Sequence, residues 1–200
     1  MEFIILQPAS QGIHMSTLKL SFDHIGLFAN DLAKMEDFYT RVLEFTVTDR
    51  GQLQRQDSEE FLDLLFLSRN PDQHHQIVLV SGRPVDLSFN VVNQVSLRAA
   101  DLMTLRELHR RIRAYGSDEI RPISHGNALS IYVRDPNGNK IELFMDLPWY
   151  VSQPLRDEVD MDVSDEELMA ALERHARELP GFRMRGEWRD EMAKKMAAQS

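Results

Sequence analysis

The chain has 200 residues, of which 42% are hydrophobic and 28% charged, an ordinary balance for a soluble protein with one domain or two small modules sharing a core. A net charge of −9 leaves no Lys/Arg stripe to neutralise phosphates, which argues against a nucleic-acid binder. The absence of cysteine excludes disulfides, thiolate nucleophiles and Cys-held zinc or iron–sulfur sites, so any metal must sit on His, carboxylate or amide oxygen.

No apolar run reaches the roughly 18 residues of a membrane span, and the opening MEFIILQPASQGIHM lacks the basic stretch of a signal peptide. The expectation is a cytoplasmic protein. Residues 1–17 read as a leader or tag-like extension, with Met15 able to open the chain. From there, residues 18–28 alternate and are rich in β-formers, which predicts a strand. Asn30 or Asp31 suits a helix N-cap, and Leu32, Met35, Phe38, Tyr39 and Val42 follow at helical spacing. Strands are expected over 45–48, 61–68 and 76–81, with a turn at Asn70-Pro71-Asp72.

A linker containing Gly82 and Pro84 leads to a second unit of the same order. It has a strand over 91–99, a helix over 101–115 with Leu102, Leu105, Leu108 and Ile112 on one face, and Gly116 as helix terminator. Strands near 120–124, 130–134 and 140–145 complete it, the last two joined by the hairpin turn Asp135-Pro136-Asn137-Gly138. After Asp146 the composition changes. LPWYVSQPLRDEV reads as an extended arm, Ser164-Asp165-Glu166-Glu167 as a capping box opening a helix to about Leu179, and residues 188–198 as a short helix. This tail is expected to pack on the module or on a partner subunit.

The two units are copies, and an internal repeat governs the architecture. At an offset of 70 residues His24 matches Gln94, Leu27 matches Leu97, Asp31 matches Asp101, Met35 matches Leu105 and Phe45 matches Tyr115. The last strands match at an offset of 64, Ile77-Val78-Leu79 against Ile141-Glu142-Leu143. The expected fold is therefore α+β, with two tandem β-α-β-β-β modules (residues 18–81 and 91–146, within a domain at 18–148) forming a shared eight-stranded open cup, and residues 149–200 as a helical C-terminal extension. Alternate strand residues share a face, so the four equivalent positions facing such a cup are His24, Val78, Gln94 and Glu142. A His, an amide oxygen and a carboxylate are a donor set for a divalent ion with open positions left for substrate.

The residues Asp23-His24-Ile25-Gly26, the module repeat, and the run from Arg134 through Asp-Pro-Asn-Gly-Asn-Lys-Ile to Glu142-Leu-Phe resemble the vicinal oxygen chelate superfamily over about 18–148. That group includes glyoxalase I, fosfomycin- and bleomycin-resistance proteins and type I extradiol ring-cleaving dioxygenases, and the likeness is nearest to the last. The resemblance implies metal ligands at His24, Gln94 and Glu142, with Val78 at the non-ligand position. It implies an acid/base at His75, within the pair His74-His75, an active-site tyrosine at Tyr132, ten residues before Glu142, and a third pocket histidine at His125. The departure is Gln94, where a dioxygenase of this type carries His; glyoxalase I uses Gln at an equivalent position. The implied cofactor is a divalent metal, Fe(II) first, with Mn, Ni or Zn as alternatives. The implied partners are a catechol-like or other vicinal-oxygen small molecule and a second copy in a homodimer, with no nucleic acid or membrane. If a metal chelates two vicinal oxygens it acts as a Lewis acid, His75 shuttles a proton, and Tyr132 and His125 hydrogen-bond the substrate oxygens. Two other readings stand beside this one: a glyoxalase-like isomerase or lyase, disfavoured by Val78, and a metal-free protein that binds a small aromatic ligand, favoured by Gln94.

Overall fold

The computed structural model describes residues 21–56, 58–84, 89–117 and 119–198; the expected leader at 1–17 and the first part of the expected 18–28 strand lie outside them. The first module runs β1 (Ile25–Phe28), α1 (Leu32–Asp37), β2 (Thr46–Gln54), β3 (Phe61–Ser68) and β4 (Ile77–Val80). The second runs β5 (Val95–Arg98), α2 (Leu102–Tyr115), β6 (Arg121–Ser124), β7 (Ala128–Arg134) and β8 (Lys140–Asp146). Both helices begin as the repeat requires. Asp31 accepts from the Lys34 amide at 3.0 Å and Asp101 from the Thr104 amide at 2.8 Å, satisfying amides with no partner inside the helix. Gly116 ends α2 at φ 87°, a conformation that glycine adopts without strain.

The two helices then diverge. α1 passes into a π-helical turn, Phe38–Val42, in which Phe38, Tyr39 and Val42 are all buried. The adjacent aromatics Phe38 and Tyr39 meet edge-on at 5.5 Å, and both reach the core where an unbroken α-helix would set them about 100° apart.

In each module the first strand lies parallel to the last, and the registers are equivalent: Gly26 opposite Val78, Ser96 opposite Glu142. The eight module strands divide between two hydrogen-bonded sheets, one ordered β1-β4-β3-β2, the other β6-β7-β8-β5 with an added edge strand β10 (Asp157–Glu158) beside β6. β6 would otherwise present unpaired backbone at the sheet edge, and the arm covers it. One hydrophobic core unites both modules and continues through Leu147, Trp149, Val151 and Met161 into α3 (Asp165–Glu178), where Leu168, Leu172 and Ala176 are buried. The Ser164 capping box is present. β9 (Trp149–Tyr150) pairs with β11 (Arg183–Met184), and α4 (Arg185–Ala197) follows. Among the described residues no helix is long and apolar enough to cross a membrane.

The hairpin between β7 and β8 also joins the modules. Asp135, 4% exposed, accepts from the amides of Asn137 (3.0 Å) and Asn139 (2.8 Å) and from the Asn139 side chain (2.8 Å), and Tyr39 of the first module donates to it at 3.2 Å. Asn137 donates to the Phe28 carbonyl and accepts from the Asn30 amide, both at 2.9 Å. Replacing Asp135 with Ala orphans four donors around one buried position. The expected result in a urea titration is a loss of about 3 kcal/mol of unfolding free energy; a loss below about 1 kcal/mol would show that the turn stands without its carboxylate.

Candidate active site

The site residues expected from the repeat and from the family resemblance fall into two groups. His24 sits just before β1. Its Nδ1 pairs with Asp23 at 2.9 Å, and its ring lies 4.3 Å from that of His75. His75 hydrogen-bonds His74 at 2.9 Å and packs on Phe66 at 5.2 Å. Burial, reinforced by the charges of His24 and His74, holds the His75 imidazole below its ordinary range, so the neutral base predominates at pH 7.

The second group centres on Glu142, in the middle of β8 and 8% exposed. Register places Tyr132 of β7 opposite Glu142 on one side and Ser96 of β5 on the other. Oε1 accepts from the hydroxyls of Ser130 and Tyr132, each at 2.8 Å; Oε2 accepts from Ser96 at 2.6 Å and from the Gln94 amide at 2.9 Å. Burial pushes the Glu142 carboxyl up, but the Ser96, Tyr132 and Ser130 donors and the nearby His125 together hold it below the ordinary glutamate range. Burial and the Glu142 charge push the Tyr132 phenol well above its own.

His125 completes a proton chain. The Leu155 carbonyl, 2.7 Å from Nδ1, can only accept, so Nδ1 carries a proton. Tyr132 has one hydroxyl proton and two partners, His125 Nε2 at 2.9 Å and Glu142 Oε1 at 2.8 Å. In one arrangement an imidazolium donates to Tyr132, which donates to the carboxylate. In the other, protonated Glu142 donates to Tyr132, which donates to neutral imidazole. Both hold the same number of protons, and moving one proton along each bond interconverts them. With one proton fewer, Glu142 is ionised and His125 Nε2 is unprotonated, so the chain can take up a proton at its Glu142 end.

Gln94, Glu142, Tyr132 and His125 are thus brought together, whereas His24 and His75 pair with each other. β1 and β5 belong to different sheets, and a cavity of about 880 Å³ lies between them, with Ile25 and Ile77 on one wall and Val95, Leu97 and Leu143 on the other. Among the described residues no three His, Asp or Glu side chains form a group able to hold a metal ion. The donor chemistry agrees: both Glu142 oxygens are taken by protein donors, and Gln94 presents its N–H rather than its oxygen. In this arrangement His24, Gln94 and Glu142 do not fit a cation.

Three contributors escape the sequence reading. Ser96 stands two residues after Gln94, so strand periodicity did carry a signal for it. Ser130 shares a face with Tyr132 by the same rule. The C-terminal arm carried no such signal. It grips His125 through Leu155 and through Gln153, whose amide donates to the His125 carbonyl at 2.7 Å. A cavity of about 290 Å³ lies beside this cluster, bounded by Glu142, His125, Phe144, Trp149, Tyr150 and Trp188.

With this geometry in place, comparison with known proteins defines the class. The model of the Glyoxalase/Bleomycin resistance protein/Dioxygenase superfamily matches residues 21–143, and the chain belongs to that superfamily. Among curated relatives it is 28% identical over 130 residues to biphenyl-2,3-diol 1,2-dioxygenase 2 of Rhodococcus globerulus, a match covering 62% of each chain, so the likeness spans under two thirds of that enzyme's length. Among solved structures, a glyoxylase/bleomycin resistance protein/dioxygenase domain from Frankia sp. EAN1pec aligns with a TM-score of 0.51 at 20% identity, covering 66% of this chain and 99% of that one. A fosfomycin resistance protein, FosX, from Listeria monocytogenes, solved with Mn(II) and sulfate, aligns at 0.47 and 21% identity, covering 66% and 95%.

The Ser96 hydroxyl makes the shortest hydrogen bond to Glu142. In Ser96→Ala, carboxyl carbon NMR of Glu142 should titrate at higher pH than in the wild type, because a donor stabilising the ionised form is gone. An unchanged midpoint would mean that this hydroxyl does not set the carboxylate's charge.

Proposed function

We propose that this chain is an enzyme acting on a small catechol-like compound, with Glu142 at the centre of its site. The observation that carries this reading is the His125–Tyr132–Glu142 proton chain opening onto a cavity of small-molecule size. The dioxygenase relative, which is named for a biphenyl diol, supports the substrate class.

The residues divide the work as follows. Glu142, ionised at neutral pH, accepts the O–H of a ligand laid against Oε2, where it takes the place of the Gln94 amide. The displaced Gln94 amide is then free to donate to the ligand oxygen as charge develops on it. The proton accepted at Glu142 passes to Tyr132 as the phenolic proton moves to His125 Nε2, so the charge never crosses the cavity. A general acid–base chain of this kind contributes about 10²–10⁴ in rate.

A second reading, a protein that sequesters a small aromatic compound without turning it over, is favoured by one observation: Glu142 is fully occupied by protein donors. The two readings separate in one experiment. Purified protein is loaded anaerobically with Fe(II), Mn(II), Ni(II) or Zn(II), metal retention is measured, and catechol and 2,3-dihydroxybiphenyl are added with oxygen uptake and product absorbance followed. The expected outcome is turnover that falls about 10² or more in Glu142→Ala and about tenfold or more in Tyr132→Phe. Ligand binding with no turnover under any loading would overturn the enzyme reading in favour of sequestration. Metal retention that drops in His24→Ala would restore His24 to the site.

A further inference from the structure

The superfamily match ends at residue 143, yet one side of the cavity beside Glu142 is built from later residues. Trp149 and Tyr150 come from β9, and Arg185 and Trp188 from α4. The Trp188 ring stacks on Tyr150 at 5.4 Å and 15°, and the guanidinium of Arg183 covers Tyr150 at 4.9 Å. Arg185 is engaged with Asp146 at 2.9 Å, so it braces α4 against β8. Trp149 is 4% exposed, and its indole Nε1 is a buried donor with no hydrogen-bond partner among the described residues. That nitrogen is closed to solvent, so Trp149 meets the cavity through atoms other than Nε1. At about 290 Å³ that cavity is roughly twice the ~150 Å³ that houses a benzene molecule. It suits one substituted ring.

We infer that the C-terminal extension is the substrate-selecting wall of the site. It takes a single-ring aromatic compound whose ring lies along the Trp188–Tyr150 stack. The orientation of the ring hydroxyl toward Glu142 rests on the proposed function; the aromatic wall does not.

The two tryptophans of the chain are Trp149 and Trp188, so intrinsic fluorescence reports on this cavity directly. The probe is 4-nitrocatechol, with cis-1,2-cyclohexanediol as a competitor that keeps the vicinal oxygens and lacks the ring. In the wild type 4-nitrocatechol should quench saturably, and the cyclohexanediol should compete at least about tenfold more weakly than catechol. Trp149→Phe shrinks the wall from an indole to a single ring; Trp188→Ala removes half of the stack from a half-buried position on α4. Each leaves one reporter, and each should weaken binding about tenfold with an unchanged circular dichroism spectrum. Equal affinity in both variants, or equal competition by the cyclohexanediol, overturns the inference. Catechol turnover unaffected by either substitution overturns it while leaving the proposed function standing. Tryptophan-dependent binding with no turnover leaves it standing while the enzyme reading falls.

Discussion

The geometry of this protein hangs on one buried carboxylate at the tip of a hairpin. Asp135 closes the β7–β8 turn by accepting from two amides and one side-chain amide, and the same carboxylate takes the Tyr39 hydroxyl from the other module. Burial raises its pKa in spite of those donors, so the ionised form is held at a cost. What that cost secures is register. A hairpin slipped by one residue would turn every β8 side chain to the opposite face, and Tyr132 would no longer face Glu142. Asn137, in the same turn, anchors the hairpin to the backbone on either side of Ala29, so one loop sets both the strand register and the module junction.

The duplicated modules have come to differ in chemistry while keeping their geometry. Gly26 faces Val78 in the first and Ser96 faces Glu142 in the second, at equivalent places in the ladder. In the first copy the pair is apolar and small, and a side chain on Gly26 would come within 3.5 Å of Val78. In the second it is a carboxylate surrounded by hydroxyls and an amide. The Ser96, Tyr132 and Ser130 hydroxyls and the nearby His125 outweigh the desolvation of Glu142, which is why a buried glutamate stays ionised in a hydrophobic sheet.

The C-terminal extension is part of the same construction. It shares the core through Trp149, Val151 and Met161, completes the second sheet through β10, and holds the backbone and the Nδ1 proton of His125. Of the two placements open to this tail, packing on its own module is the one observed. Its aromatic residues stand beside the site because β9 follows directly from β8, the strand that carries Glu142.

Much of this was legible beforehand, and the limits are physical. The repeat, the two Asp caps, Gly116, the Asp-Pro-Asn-Gly turn and the Ser164 capping box are local signals, each spanning a few residues whose backbone chemistry has one good solution, and they located the modules and their helices. The hairpin between two expected strands also put Tyr132 and Glu142 on neighbouring strands, while Tyr132 itself was marked only by the family resemblance. The π-helical turn at Phe38–Val42 was invisible because it answers to the packing of two adjacent aromatics. The length of β2 was invisible because its exposed, polar sequence pairs only when β3 is beside it. By itself the sequence determined two copies of one module and a glutamate in the last strand of the second, since periodicity and turn chemistry are properties of the chain. Only the tertiary structure decided that His24 pairs with His75, that Gln94 gives Glu142 its N–H, and that Trp149 and Trp188 wall the cavity. Those contacts join residues far apart in the chain, and strand pairing within each sheet, with the docking of the C-terminal extension, chooses them.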